Sequence, residues 1–202
     1  MSHESDHTQA KERLLDTAEN LFARKGFVAT TLRDISTELG LTHASLYYHF
    51  PGGKEDLFAA VMERNILRHG AGLAAAITEA GSDLRARSRG AAAWLLSQPP
   101  IDLIRMTEAD MPALPESVAR KLMDLVYREL IIRLRSVFEA AVRSGAISAS
   151  TDSGLVAGAF IGLVESLHSV PFFAVKNTRG DMANELIDIL LKGLDYAGGG
   201  TK

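Results

Sequence analysis

The residues best suited to chemistry lie close together: His43, Ser45, Tyr47, Tyr48 and His49, inside TTLRDISTELGLTHASLYYHF at positions 30–50. Hydroxyl, imidazole and phenol groups exchange hydrogen bonds with base edges and phosphate oxygens. In other arrangements the same groups bind metals or move protons, but the spacing here suits neither. His43 and His49 are six residues apart, about 240° out of phase on a helix, and cannot share a metal ion. GGK at 52–54 is not a phosphate-binding loop, because Tyr48 stands where its first glycine belongs and Glu55 where its Ser or Thr belongs. There is no GxSxG elbow and no clear pair of catalytic carboxylates, so nothing argues for an enzyme, a metal centre or a cofactor.

The helices that carry these groups decide which of them face outward. Leu14, Leu15, Ala18, Leu21 and Phe22 recur at helical spacing and predict a first helix from about Gln9 to Lys25, ended by Gly26. Thr31 followed by Asp34 is a helix-start signal. It places Leu32, Ile35 and Leu39 on the inner face of a short helix that stops at Gly40, with Leu41 buried in the turn. Thr42 caps a third helix in which Leu46 and Phe50, four apart, mark the core side. His43, Ala44, Tyr47 and Tyr48 are then mostly turned away from it. Pro51-Gly52-Gly53 breaks the chain, and a long helix begins near Lys54 with Leu57, Phe58, Val61 and Met62 inward.

Helix, glycine-containing turn and a second helix with exposed polar and aromatic groups make a helix-turn-helix pattern. The second helix of such a motif enters the major groove, and residues near its N-terminus reach base edges. His43, Ala44 and Ser45 are the candidates for base readout, whereas Tyr47, Tyr48 and His49 can reach phosphates or a groove wall. Lys54, with the amides at the start of its helix, offers an anion site. GFVATTLRDISTELGLTHASLYYHF followed by KEDLFAAV strongly resembles the TetR family of bacterial transcriptional regulators, over about residues 10–65. The resemblance implies a three-helix DNA-binding domain joined to a larger helical domain that dimerises and usually binds a small molecule. By the same resemblance, Thr31, Tyr47 and Lys54 match positions that commonly touch phosphates, and Thr42, His43 and Ala44 match positions that commonly read bases. One departure stands out: the family usually has two residues between the aromatic ending and the lysine, and this chain has Pro51-Gly52-Gly53, which resembles a minority FPGGK branch.

The 202 residues are 47% hydrophobic and 23% charged, enough to bury a sizeable core. There is no cysteine, which excludes disulfides and thiolate chemistry and agrees with a cytoplasmic protein. Neither a signal peptide nor a membrane span is visible. A net charge of -3 gives no bulk attraction to DNA, and residues 1–55 themselves hold more acids than bases. Past residue 80 every long segment again reads at helical period, with Asp83 or Ser82 starting one helix, a proline-interrupted stretch QPPIDLIRMTEADMPALPES, and a long helix from Val118 to Ala141 that stops at Gly145. The proline-rich stretch is a natural place for a mobile or ligand-facing element.

Trp94, Met106, Met111, Tyr127, Phe138, His168, Phe172 and Phe173 are large or adaptable groups suited to a mainly apolar ligand pocket, and equally to ordinary core packing. Glu165, within an apolar helix, is either a cation's partner or a solvated edge. Gly158 and Gly162 form GxxxG in a segment apolar nearly all round, suited to close packing within the chain or between two chains. The family pattern, which pairs the last two helices across a dimer, points to Phe160, Val164, Leu167, Ile187, Leu190, Leu191 and Leu194 as the interface. The expectation is therefore an all-α chain, with a helix-turn-helix domain over 1–55 and a ligand-binding and dimerisation domain over 56–202. It is expected to act as a homodimeric repressor on double-stranded operator DNA, released by a small molecule. A regulator without an inducer and, more remotely, a small helical enzyme or carrier are the alternatives.

Overall fold

The computed structural model describes residues 2–171 and 177–196 of the chain. Among the described residues every regular element is helical. The long elements are α1 (Ser2–Ala29), α2 (Leu32–Leu39), α3 (His43–His49), α4 (Lys54–Glu79) and α5 (Leu84–Ser97), followed by a short α6 (Leu103–Arg105) that runs through a π-turn, Met106–Asp110. Then come α7 (Glu116–Val126), α8 (Ile132–Arg143), α9 (Ser153–Ser166) and α10 (Arg179–Tyr196). The expected starts and stops recur with their chemistry. Asp83 accepts from Ala86 N at 2.7 Å, and Asp152 accepts from Gly154 N and Leu155 N at 2.9 and 3.1 Å. Those two amides hold the Asp152 carboxyl below its usual range.

Two elements differ from expectation. α1 begins at Ser2 instead of Gln9, because its polar first turns carry no apolar stripe to announce them. Gly26 interrupts α1 with φ 77 and ψ 170, yet the helix resumes to Ala29. The long helix expected from Val118 is broken into α7 and α8 by a π-turn, Tyr127–Ile131.

The chain divides into two compact units, Met1–Asn65 with Asp102–Leu125, and Ile66–Ile101 with Val126–Lys202. The division lies within α4, beyond the residue 55 expected for a functional boundary, since Leu57, Phe58 and Val61 still fill the first unit's core. At the centre of that core Phe58 meets Phe22 edge-on at 5.0 Å and Phe27 at 4.8 Å. On the same unit, Arg64 of α4 pairs with Glu12, Asp16 and Glu19 of α1 at 3.0, 2.8 and 2.7 Å. Partial burial works against its charge, but the hydrogen bonds it donates to Glu19, Asp16 and Glu12 prevail and raise the guanidinium's pKa. Three acids of the first 55 residues thus share one cation outside that count. From Asp102 onward the proline-rich stretch belongs to this unit as well, where its Asp110 is buried and accepts from the Phe27 amide of α1.

In the second unit α10 packs on α5, and α9 on α8, where Phe138 and Phe160 meet edge-on at 6.2 Å. Five of the seven residues expected at a dimer interface lie in this core: Phe160, Val164, Leu167, Ile187 and Leu191 are buried within the single chain. Leu190 and Leu194 are half-buried. The reason is the all-round apolarity of α9: Val156, Phe160, Ile161 and Val164 fill the core, and the opposite side, apolar as well, faces out. Leu155 is 72% exposed, and Gly158, Ala159, Gly162 and Leu163 share its side of the helix. A Cβ added to Gly158 or Gly162 would meet nothing within 4 Å, so GxxxG does not serve packing within the chain.

Candidate nucleic-acid interface

The helix-turn-helix is built from two capped helices. Thr31 Oγ1 accepts from Asp34 N at 3.1 Å, and Asp34 Oδ2 accepts from Thr31 N at 2.9 Å and from the Thr31 hydroxyl at 2.8 Å. The amide bond, followed by the hydroxyl, lowers the Asp34 pKa, and Lys25 at 3.7 Å adds to the effect. At the other end of α2, Gly40 takes the left-handed conformation (φ 65, ψ 27) that closes the helix. Thr42 Oγ1 then accepts from Ser45 N at 3.2 Å and opens α3. Leu46 and Phe50 are buried, as their spacing demands. Ile35 is buried too, whereas Leu32, Leu39 and Leu41 are only half-buried and Ser36 takes a core position.

With α3 anchored on one side, its other side is open. Thr42, His43 and Ala44 are exposed, Tyr47 is 48% and Tyr48 69% exposed, and Ser45 and His49 are half-buried. The Tyr48 and His49 rings meet edge-on at 5.3 Å. Exposed tyrosines, with an apolar ring and a polar tip, suit a wet, charged occupant.

The unusual FPGGK turn is tightly specified. Gly52 N donates to Asp56 Oδ2 at 2.6 Å, and a Cβ on Gly52 would fall 2.3 Å from the same oxygen. Gly53 has φ 75, and a Cβ there would touch the Tyr47 ring at 3.5 Å. The extra residue therefore brings backbone beneath Tyr47. Lys54, expected at an anion site, is engaged elsewhere: its Nζ donates to the Phe27 carbonyl at 3.0 Å and lies 4.2 Å from the centre of the Phe27 ring. Cations nearby are only loosely committed, with Arg24 3.5 Å from Glu38 and both exposed. Such surface pairs are worth about 0–1 kcal/mol and exchange readily for phosphate. Sequence reasoning missed Arg105 and Asp110, which lie 80 or so residues from the end of α1 that they contact; only a spatial contact shows them.

The described ligand candidates are divided between the two units. Met106 and Met111 are buried in the first unit, while Trp94, Tyr127, Phe138 and His168 belong to the second. Trp94 lies against α4 so closely that a Cβ on Gly72 would come within 2.0 Å of its indole. Phe138 is core, Tyr127 is 48% exposed, and Phe172 and Phe173 lie outside the described residues. A cleft of about 260 Å³ between Leu84, Arg87 and Val137 includes none of them. Both carboxylate oxygens of Glu165 are shielded from solvent, so it is not a solvated edge. HESDH at residues 3–7 matches the spacing HExxH, which the expectation of no metal site overlooked. Its side chains lie outside the description, and two histidines lack the third protein ligand a catalytic zinc needs.

Comparison with known proteins agrees with this geometry. Residues 14–61 match the family model for bacterial regulatory proteins of the tetR family. The HTH-type transcriptional regulator LmrA of Bacillus subtilis is 48% identical over 48 residues, which cover 24% of this chain and 26% of LmrA. The HTH-type negative transcriptional regulator IcaR of the icaADBC biofilm operon in Staphylococcus epidermidis is 42% identical over 53 residues, 26% of this chain and 28% of IcaR. The matched segment thus spans about a quarter of the length of these curated relatives. Over the whole fold, the crystal structure of AibR in complex with isovaleryl coenzyme A and operator DNA superposes with a TM-score of 0.73, at 20% identity, covering 90% of this chain and 97% of that one. Residues 14–61 thus resemble the helix-turn-helix segment of tetR-family regulators, and the chain shares the fold of the AibR structure.

Proposed function

We propose that the protein is a sequence-specific transcriptional regulator, a cytoplasmic homodimer that represses from a pseudo-palindromic operator and is released by a small, largely apolar ligand. The observation that carries this reading is the outward face of α3, where Thr42, His43, Ala44, Tyr47 and Tyr48 stand exposed on a helix fixed from behind by Leu46 and Phe50. Thr42, His43, Ala44 and Ser45 read bases; Thr31, Tyr47, Tyr48 and His49 meet phosphates or the groove wall; Lys54 reaches a phosphate only by leaving Phe27. Residues 1–55 supply DNA recognition and 56–202 dimerisation and ligand response. Repression is supported by IcaR's description as a negative regulator.

Dimerisation is assigned to the exposed side of α9, Leu155, Gly158, Ala159, Gly162 and Leu163, with Ile189 of α10, which is 59% exposed. Two recognition helices so paired must match major grooves about 34–36 Å apart, or a multiple of that. A ligand that turns nearly full occupancy into nearly full release must prefer the non-binding conformation by about 10⁴-fold. Selection of fragments from random double-stranded DNA by the full-length protein tests the reading. An enriched inverted repeat is expected, and failure of a folded dimer to enrich any sequence would overturn it.

A second reading, regulation without an inducer, is favoured by one observation: Trp94 and Phe138 are packed as structural residues rather than ranged around an open pocket. Thermal unfolding with isovaleryl coenzyme A and with simple fatty acids separates the two. A saturable rise in midpoint supports a ligand, and flat profiles across such probes favour the second reading.

A further inference from the structure

A helix that breaks leaves a donor and an acceptor without each other. In α1 the break is at Gly26, and the partners of a continuous helix across it are the Phe27 amide and the Ala23 carbonyl. Neither is left bare. Arg105 Nη1 donates to the Ala23 oxygen at 3.0 Å, and Asp110 Oδ1 accepts from Phe27 N at 3.0 Å. Arg105 and Asp110 also face one another, with Nε 3.5 Å from Oδ2. One ion pair is therefore inserted into one broken backbone hydrogen bond, matched in sign, cation to carbonyl and anion to amide. Asp110 is only 3% exposed, so an amide that lost it would be left without water to replace it.

What this pair holds is Phe27. The residue's amide rests on Asp110, its carbonyl on Lys54, and its ring between Lys54, Phe22 and Phe58. Three residues on, Thr30 is buried with its hydroxyl donating to the Gly26 carbonyl at 2.7 Å, and Thr31 caps α2. Where α2 starts, and where α3 packed on it lies, follows from where Phe27 is held.

We infer that the Arg105–Asp110 pair is a positioning device for operator recognition, by which the turn after α6 sets the placement of the helix-turn-helix through Phe27. The inference rests on the operator reading above. It goes further in assigning a DNA-binding role to two residues remote in sequence from the motif.

The test uses full-length protein, the duplex enriched by selection, and a scrambled duplex of equal length at one salt concentration. Three variants are compared: Asp110→Ala, Asp110→Asn, which keeps an oxygen for the Phe27 amide, and Arg105→Met, which keeps the stem of a side chain already a third exposed. Asp110→Ala is expected to weaken operator binding about tenfold or more, and Arg105→Met about three- to tenfold. Asp110→Asn should remain within about threefold of wild type, and scrambled-duplex affinity within about twofold for every variant, since phosphate contacts rather than base readout govern it and neither residue is assigned one. Arg105→Met should also keep its helix content, so that a folding defect in Asp110→Ala does not decide the matter. Equal operator affinity in all four proteins overturns the inference alone. Operator and scrambled affinity falling together with helix content makes the pair merely structural and overturns it too. If the wild type enriches no duplex, the operator reading fails first and the inference with it.

Discussion

α3 and α9 are both short of the chain's average in charge, yet they show their functional faces very differently. In α3 two apolar residues four apart are buried, and polar and aromatic residues stand on the other side. An amphipathic helix states its own orientation. In α9, SGLVAGAFIGLVES, apolar residues occur on every side, and the helix is half core and half exposed apolar stripe. Polarity does not separate its faces: Ala157, Phe160 and Val164 are inside, and Leu155, Gly158, Ala159, Gly162 and Leu163 are outside. The lesson is that a surface meant for charge can be read from polarity, whereas a surface meant for another apolar helix is read only once the core is known.

The strongest way to break that comparison is to charge the exposed stripe. Leu155→Glu with Leu163→Glu should leave folding intact and convert the dimer to a monomer in sedimentation, with operator affinity falling about 10²- to 10⁴-fold as two-site binding is lost. A variant that stays dimeric would move the interface elsewhere. Phe160→Ala, on the opposite side of the same helix, should instead lower stability by about 3–5 kcal/mol in denaturant unfolding, as expected for a large buried ring. If Phe160→Ala only weakened association, the inward placement of that face would be wrong.

On α3 the effects are smaller and confined to DNA. Tyr47→Ala is expected to reduce operator affinity about tenfold, with stability altered by no more than about 0.5 kcal/mol, because the ring is half-exposed. Unchanged affinity would remove Tyr47 from the contact set. Lys54→Ala is expected to cost about 1–2 kcal/mol of stability through the lost carbonyl bond and ring contact, and to leave the salt dependence of binding unchanged. A slope smaller by about one unit would instead place the ammonium on a phosphate.

The same contrast explains what was legible in the sequence. Caps made of neighbouring residues, Thr31 with Asp34 and Thr42 with Ser45, were readable because their chemistry is local. The outward placement of His43, Ala44, Tyr47 and Tyr48 followed from Leu46 and Phe50 alone. Asp110 and Arg105 were not readable, since their partners lie about 80 residues away and no local pattern marks them. The proline-rich stretch looked like a loop for a ligand because prolines exclude long helices, but they do not exclude burial against α1. For Lys54 the resemblance points to a phosphate contact, while the carbonyl it donates to lies 27 residues upstream and leaves no local signal.

The two regions also differ in how they respond to acid, which gives the smallest expected effect. In the second unit, burial pushes the His168 pKa below its ordinary 6.5; a hydrogen bond with the Leu95 backbone opposes the shift, and the charge of Arg179 adds to it. Arg179 also donates to the His168 carbonyl at 3.0 Å, which keeps the cation close. As pH falls below about 6.5 the unfolded chain takes up a proton before the folded one does. Stability is therefore lost between that pH and the lower folded value, and is unaffected above it. In the first unit Asp34 works in a different window: its pKa is depressed, so its contribution is present above the unfolded 3.8 and disappears as pH falls through the folded value. His168→Gln should flatten the unfolding midpoint between about pH 5 and pH 7 relative to wild type, leaving the more acidic loss in place. Parallel profiles for the two proteins would mean that the imidazole is as comfortable charged in the fold as in water. The near-neutral sensitivity of the second unit would then have to come from another group.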